Sequence, residues 1–111
     1  LQLNSASLSS ATSVMLNGGA LIVATSGANA IGGTLTFAGG TLQFNQNPGT
    51  DYSAQFSTAP NQQYRVNVAG GREALFAANL SSVGGALIKS NAGTLTLSAA
   101  NSYTGGTALG A

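Results

Sequence analysis

The chain has 111 residues, and only 5% of them are charged, against about 25% in an ordinary soluble domain. Three Lys and Arg stand against two Asp and Glu, a net charge of +1. That balance gives no electrostatic pull on nucleic acid or an anionic membrane. Cys and His are both absent, which excludes disulfides and thiolate or imidazole metal sites.

The chain opens on LQLNSASL, where Leu1, Gln2 and Leu3 read as part of a strand. It starts at Leu1 and not Met, without a charged-then-apolar leader, and is read as a mature or excised piece. Gly18-Gly19 is followed by ALIV, Gly32-Gly33 by TLTF, Gly40 by TLQF, Gly85 by ALIK and Gly93 by TLTL. Each is a short period-2 strand after a glycine corner. The longest apolar run, Ala20 to Ala24, is far too short to cross a bilayer. Six Gly-Gly pairs begin 14, 7, 31, 14 and 21 residues apart. Short strands and tight corners at a recurring interval are what a solenoid needs. No single coil can bury its one or two inward Leu, Val or Phe side chains, but stacked coils can. At ~20–25 residues per coil, the chain makes about five. A β-sandwich is the competing fold. It demands more large core residues and a more charged surface than this chain offers.

The long interval falls on residues 45–70, which hold both prolines and Tyr52, Phe56 and Tyr64. This stretch is expected to be a longer or irregular coil, or an insertion. YRVNVA reads as a strand with Tyr64, Val66 and Val68 on one face, and Ala74 to Leu80 also reads as strand.

Towards the C-terminus, GGALIKSNAGTLTLSAANSYTGGT (Gly84 to Thr107) resembles the autotransporter-associated β-strand repeat, also called the passenger-associated transport repeat. Gly84, Gly85, Lys89, Gly93, Tyr103 and Gly106 fall on its pattern, while Ala99 and Ala100 replace the usual Gly-Ala. The resemblance extends back to roughly Gly32. It implies an all-β fold: a right-handed parallel β-helix in an exported passenger of a bacterial surface protein. It also implies scaffold, not enzyme, and no cofactor.

The functional expectation is a structural, self-assembling extracellular fibre or surface-layer component. Units of residues 1–111, with uncapped ends, stack head to tail through Leu1, Gln2, Leu3, Tyr103, Thr107 and Leu109. The alternative is a passenger stalk or adhesin that presents another domain or binds glycans, with Tyr52 and Tyr64, joined by Tyr103, as a sugar-stacking stripe. Partners are copies of itself and, in the adhesin alternative, glycans. Nucleic acid is not expected as a partner, and neither is membrane insertion. Chemistry has few candidates. Asp51 and Glu73 are the two carboxylates; they read as surface acids in preference to a glycosidase pair. Lys89 reads as a solvated or snorkelling side chain, ahead of a crosslink to Asn or a dyad with Ser82 or Ser90. Asn79-Leu80-Ser81 is a sequon of the kind that chance often supplies.

Overall fold

The computed structural model describes residues 2–3, 13–23, 33–47 and 51–110. Ten strands occur among them: β1 (Gln2–Leu3), β2 (Ser13–Leu16), β3 (Ala20–Val23), β4 (Thr34–Phe37), β5 (Thr41–Phe44), β6 (Gln63–Val68), β7 (Glu73–Phe76), β8 (Ala86–Ser90), β9 (Thr94–Leu97) and β10 (Thr107–Leu109). Every pairing among these strands is parallel. The chain is therefore a parallel β-solenoid, as the glycine-and-strand rhythm leads one to expect.

One face, A, is a continuous six-stranded sheet in the order β1-β3-β5-β6-β8-β10. Residues paired on neighbouring strands of this face are 20, 21, 24, 23 and 20 apart in sequence. Five coils thus separate six rungs. Face B precedes face A in each coil. It begins as β2 and β4, continues through an isolated bridge from Leu35 to Phe56, and runs on to Leu80. There Leu80 O accepts from the N–H groups of Ser102 and Tyr103, both at 3.0 Å. Face C follows face A and carries β7 and β9. The second strand pair thus sits on face B in the first half of the chain and on face C in the second.

The glycine pairs are the corners of this three-sided coil. Gly19, Gly40, Gly85 and Gly106 each stand one residue before a face A strand, and the column spacing is about one coil. The 31-residue interval in the glycine rhythm joins two different corners: Gly39 leads into face A, and Gly70 leaves it. At the corner between them Asn61-Gln62 replaces a glycine pair. Asn61 has φ 63°, in the left-handed region that Asn tolerates better than other side-chain-bearing residues. The face A strands on either side of this stretch, β5 and β6, pair 24 residues apart.

The alternation in each strand turns one row inward. Leu21, Leu42 and Val66 form one buried column and Val23, Phe44 and Val68 another. The irregular coil adds the bulk. Phe37, Phe44, Tyr52, Phe56, Tyr64 and Phe76 are all buried, and Tyr103 is half-buried against them. Their rings touch in one connected set, with centroids 4.9 to 6.5 Å apart. Edge-to-face geometry dominates, the arrangement that aromatic quadrupoles favour. Of the expected strand over Ala74 to Leu80, the first half is β7; residues 77–80 form the arc towards face B.

Candidate functional site

Two places in the molecule combine unusual chemistry with a reason for it. The first is the change of face around residues 45–62. Here the regular backbone ladder stops, and buried or half-buried peptide groups need other partners. Side chains supply them. Asn47 Oδ1 accepts from Glu73 N–H at 2.9 Å. Asp51 Oδ2 accepts from Ala77 N–H at 2.8 Å. Its Oδ1 accepts from the N–H and hydroxyl of Ser53, at 2.9 and 2.6 Å. Ser53 Oγ in turn accepts from Ala78 N–H at 3.0 Å. On the other side, Gln62 Oε1 accepts from Phe37 N–H at 2.8 Å. The Ser82 hydroxyl accepts from Gln62 N–H at 2.9 Å and donates to Ala59 O at 2.6 Å.

These contacts decide several sequence expectations. Asp51 is a structural acceptor joining the irregular coil to β7, not a free surface acid. Ser82 is fully buried and its hydroxyl is committed in both directions, so it does not form a dyad with Lys89. Lys89 donates to Asn91 O at 2.6 Å, the snorkelling outcome. Asn79 is exposed, with its Oδ1 accepting from Ser102 Oγ at 3.4 Å.

The sugar-stacking stripe is corrected. Tyr52 and Tyr64 are both completely buried. Tyr52 stacks on Phe44, and Tyr64 packs between Phe37, Phe56 and Tyr103. Neither ring offers a face to a glycan. The phenol of Tyr64 needs a single acceptor, which Ser57 O provides at 2.6 Å. An amphipathic Tyr can therefore serve a core as well as a surface.

Two expected outcomes follow. Asp51→Ala removes three accepted hydrogen bonds and is expected to cost about 2–3 kcal/mol. Asp51→Asn keeps an acceptor oxygen and is expected to cost less; urea unfolding of the two variants measures the difference. Burial raises the pKa of Tyr64 above its ordinary value, with the Ser82 hydroxyl acting in the opposite direction. The folded state thus holds this proton more tightly than the unfolded chain. The resulting stability is complete below about pH 10 and is lost as pH rises through the folded value. Stability should fall less steeply above pH 10 in Tyr64→Phe than in the parent, measured as the urea midpoint against pH.

The second place is the C-terminal rung. β10 is an edge strand, and β9 ends the paired strands of face C. The inward positions here are incompletely covered: Leu95, Leu97 and Tyr103 are half-buried against the core, and Leu109 is 75% exposed. The Tyr103 hydroxyl and Thr107 Oγ1 share a hydrogen bond of 2.5 Å. Among the described residues, this rung presents edge-strand backbone and partly exposed apolar side chains. Of the expected interface residues, the structure brings Tyr103, Thr107 and Leu109 together at this end. Gln2 and Leu3 lie at the opposite edge of face A, while Leu1 lies outside the described residues. Near that opposite end Val14 is half-buried, Met15 is 59% exposed and Leu16 is buried. They line a shallow depression of about 190 Å³ with Asn17, Gly18, Ala20 and Leu21.

Residues 87–111 match the family model of the passenger-associated-transport-repeat. The C-terminal rungs carry this repeat. It contains β9, Tyr103 and β10, the same segment whose inward row is open. The broader resemblance back to Gly32 lies outside the matched residues. No curated protein and no solved structure matches the chain.

Proposed function

We propose that this chain is a scaffold segment of a bacterial surface protein: a length of β-solenoid stalk in an exported passenger, extracellular and without catalysis of its own. The observation that supports this reading is the repeat at residues 87–111, with its partly open inward row and edge strand. A further coil continues such a rung at little cost, because the backbone groups and the apolar column are already in position. The polar side chains best placed for chemistry, Asp51 and Ser82, are occupied in holding the coil together. The work of the segment is mechanical: a parallel ladder with rows of stacked side chains that sets distance and resists proteolysis.

The test is in-frame deletion of these residues from the exported protein. Five rungs at strand spacing amount to ~24 Å, so electron microscopy of detached surface material should show rods shorter by that length, with the function of the tip retained. Unchanged rod length, together with loss of a binding or hydrolytic activity, would overturn the reading.

A second reading is a filament of separate copies stacked head to tail. It is favoured by two features of this chain. One is the low net charge, which gives little repulsion between copies; the other is the apolar side chain of Leu109, 75% exposed on the edge strand β10. Heterologous stacking that does not close on itself gives an open fibre.

A further inference from the structure

Asn17 is the one asparagine of the chain that is followed by glycine. It lies at the corner between β2 and β3 and is exposed, as is Gly18. Among the described residues, neither the Asn17 side-chain amide nor the Gly18 N–H has a hydrogen-bond partner. Gly18 has φ +144°, and a Cβ built there would meet nothing within 4 Å, so no neighbouring group shields its nitrogen. We propose that Asn17-Gly18 is a self-modifying site, which deamidates through a succinimide. The Gly18 nitrogen gives up its proton to water or hydroxide and attacks Asn17 Cγ. The N–Cγ bond forms, the Cγ–Nδ2 bond breaks, and Nδ2 leaves as ammonia. Water then opens the ring. Cleavage at Cγ gives aspartate. Cleavage at the backbone carbonyl gives isoaspartate, in which the main chain runs through the former side chain. Water is the co-reactant, and nothing is oxidised or reduced.

At the other described asparagines the groups that must react are held elsewhere. Gln62 N–H, after Asn61, donates to Ser82 Oγ at 2.9 Å. Leu80 N–H, after Asn79, donates to Asn101 Oδ1 at 2.8 Å. Ser102 N–H, after Asn101, donates to Leu80 O at 3.0 Å. Ala92 N–H, after Asn91, donates to Asn91 Oδ1 at 2.9 Å. Asn67 and Val68 both sit inside β6. The Asn45 amide is fixed by Gln43 Nε2, which donates to its Oδ1 at 2.8 Å. Asn47 precedes Pro48, which has no N–H. The corner at Asn17 also has little slack. Leu16 O accepts from Ala38 N–H and Gly40 N–H, both at 2.9 Å. A Cβ on Gly40 would stand 2.9 Å from Leu16 C and 3.0 Å from Gly18 N, so the next coil rests directly on this backbone. Isoaspartate lengthens the main chain here by one atom, and the carboxylate of either product cancels the net charge of +1.

Incubation of the folded chain in warm, mildly alkaline buffer, followed by peptide mass mapping, tests the site. Isoaspartate and aspartate are expected at position 17 before any other described asparagine converts. The rate should rise roughly tenfold per pH unit, since the nitrogen reacts in its deprotonated form. Hydroxylamine, which cleaves succinimides, should cut the chain between residues 17 and 18. Asn17→Gln, which would have to close a larger and less favourable ring, should remove both signals; at an exposed position the change is tolerated. An unconverted Asn17 in the folded chain overturns the proposal, and conversion in urea alone would show that the folded corner protects it. Another described asparagine reacting first in the folded chain overturns it too. The isoaspartyl chain should unfold at a lower urea midpoint than Asn17→Asp, which carries the charge without the added backbone atom. Equal midpoints would contradict the effect on the corner.

Discussion

Phe56→Ala is expected to destabilise the chain by about 3–5 kcal/mol, the range for removing a buried aromatic ring. That is a large fraction of the ~5–15 kcal/mol that holds a typical domain together. Phe56 is 5% exposed and touches three rings: Phe37 at 5.0 Å, Tyr64 at 5.8 Å and Phe76 at 4.9 Å. Its backbone also makes the bridge to Leu35 that carries face B past the irregular coil. The ring thus joins side chains of both halves of the solenoid at the level where the ladder is interrupted. Phe56→Leu should recover most of the loss, since volume-conserving apolar swaps cost less. Met15→Ala, at an exposed position, should change stability by no more than ~0.5 kcal/mol. Chemical unfolding of the three variants provides the comparison. An effect of Phe56→Ala as small as that of Met15→Ala would mean that the aromatic set does not hold the halves together.

Gly93→Ala should be the most damaging of the small glycine substitutions. A Cβ at this position would collide with Ala69 O, with Val68 Cγ1 at 2.5 Å and with Val68 O at 2.6 Å. The preceding coil is packed there and Gly93 N–H already donates to Val68 O at 2.9 Å, so the neighbour cannot simply move aside. Overpacking of this kind costs about 1–3 kcal/mol. Gly19→Ala differs in cause. A Cβ there meets nothing within 4 Å, but φ is +63°, so its cost is the roughly 1–2 kcal/mol of left-handed backbone. Temperature scans of the two variants, combined in one chain, should show nearly additive losses, because the sites lie on different corners. Gly93 belongs to the segment that matches the repeat. The requirement at this position is therefore close approach between coils, not a turn conformation.

Much of this fold can be read from the residues because the solenoid is built of local rules. Leu-x-Phe and Leu-x-Val alternation places ALIV, TLTF and TLQF as strands, and paired glycines place the corners. The coil count follows from the spacing. What the sequence does not carry is which side of the coil a strand occupies. β4 and β9 begin with the same Thr-Leu-Thr, yet one lies on face B and the other on face C. The difference is set by the arc lengths around them and by the polar side chains of the irregular coil. Asn47, Asp51, Ser53 and Gln62 could have been suspected from the local richness in Asn, Gln and Asp, but their partners lie 25 or 26 residues away. The misplacement of Tyr52 and Tyr64 on the surface has a similar origin. Sequence shows a phenol but not the one carbonyl that lets it be buried.

If this chain is a length of solenoid whose rungs continue through its ends, joined copies must form one rod. Small-angle scattering from chains of one, two and four covalently joined copies tests this most directly. A continuing solenoid keeps one cross-section and lengthens by five rungs, ~24 Å, with each copy. A cross-section that grows with copy number, or a length increment set by separate globules on flexible joints, would contradict it.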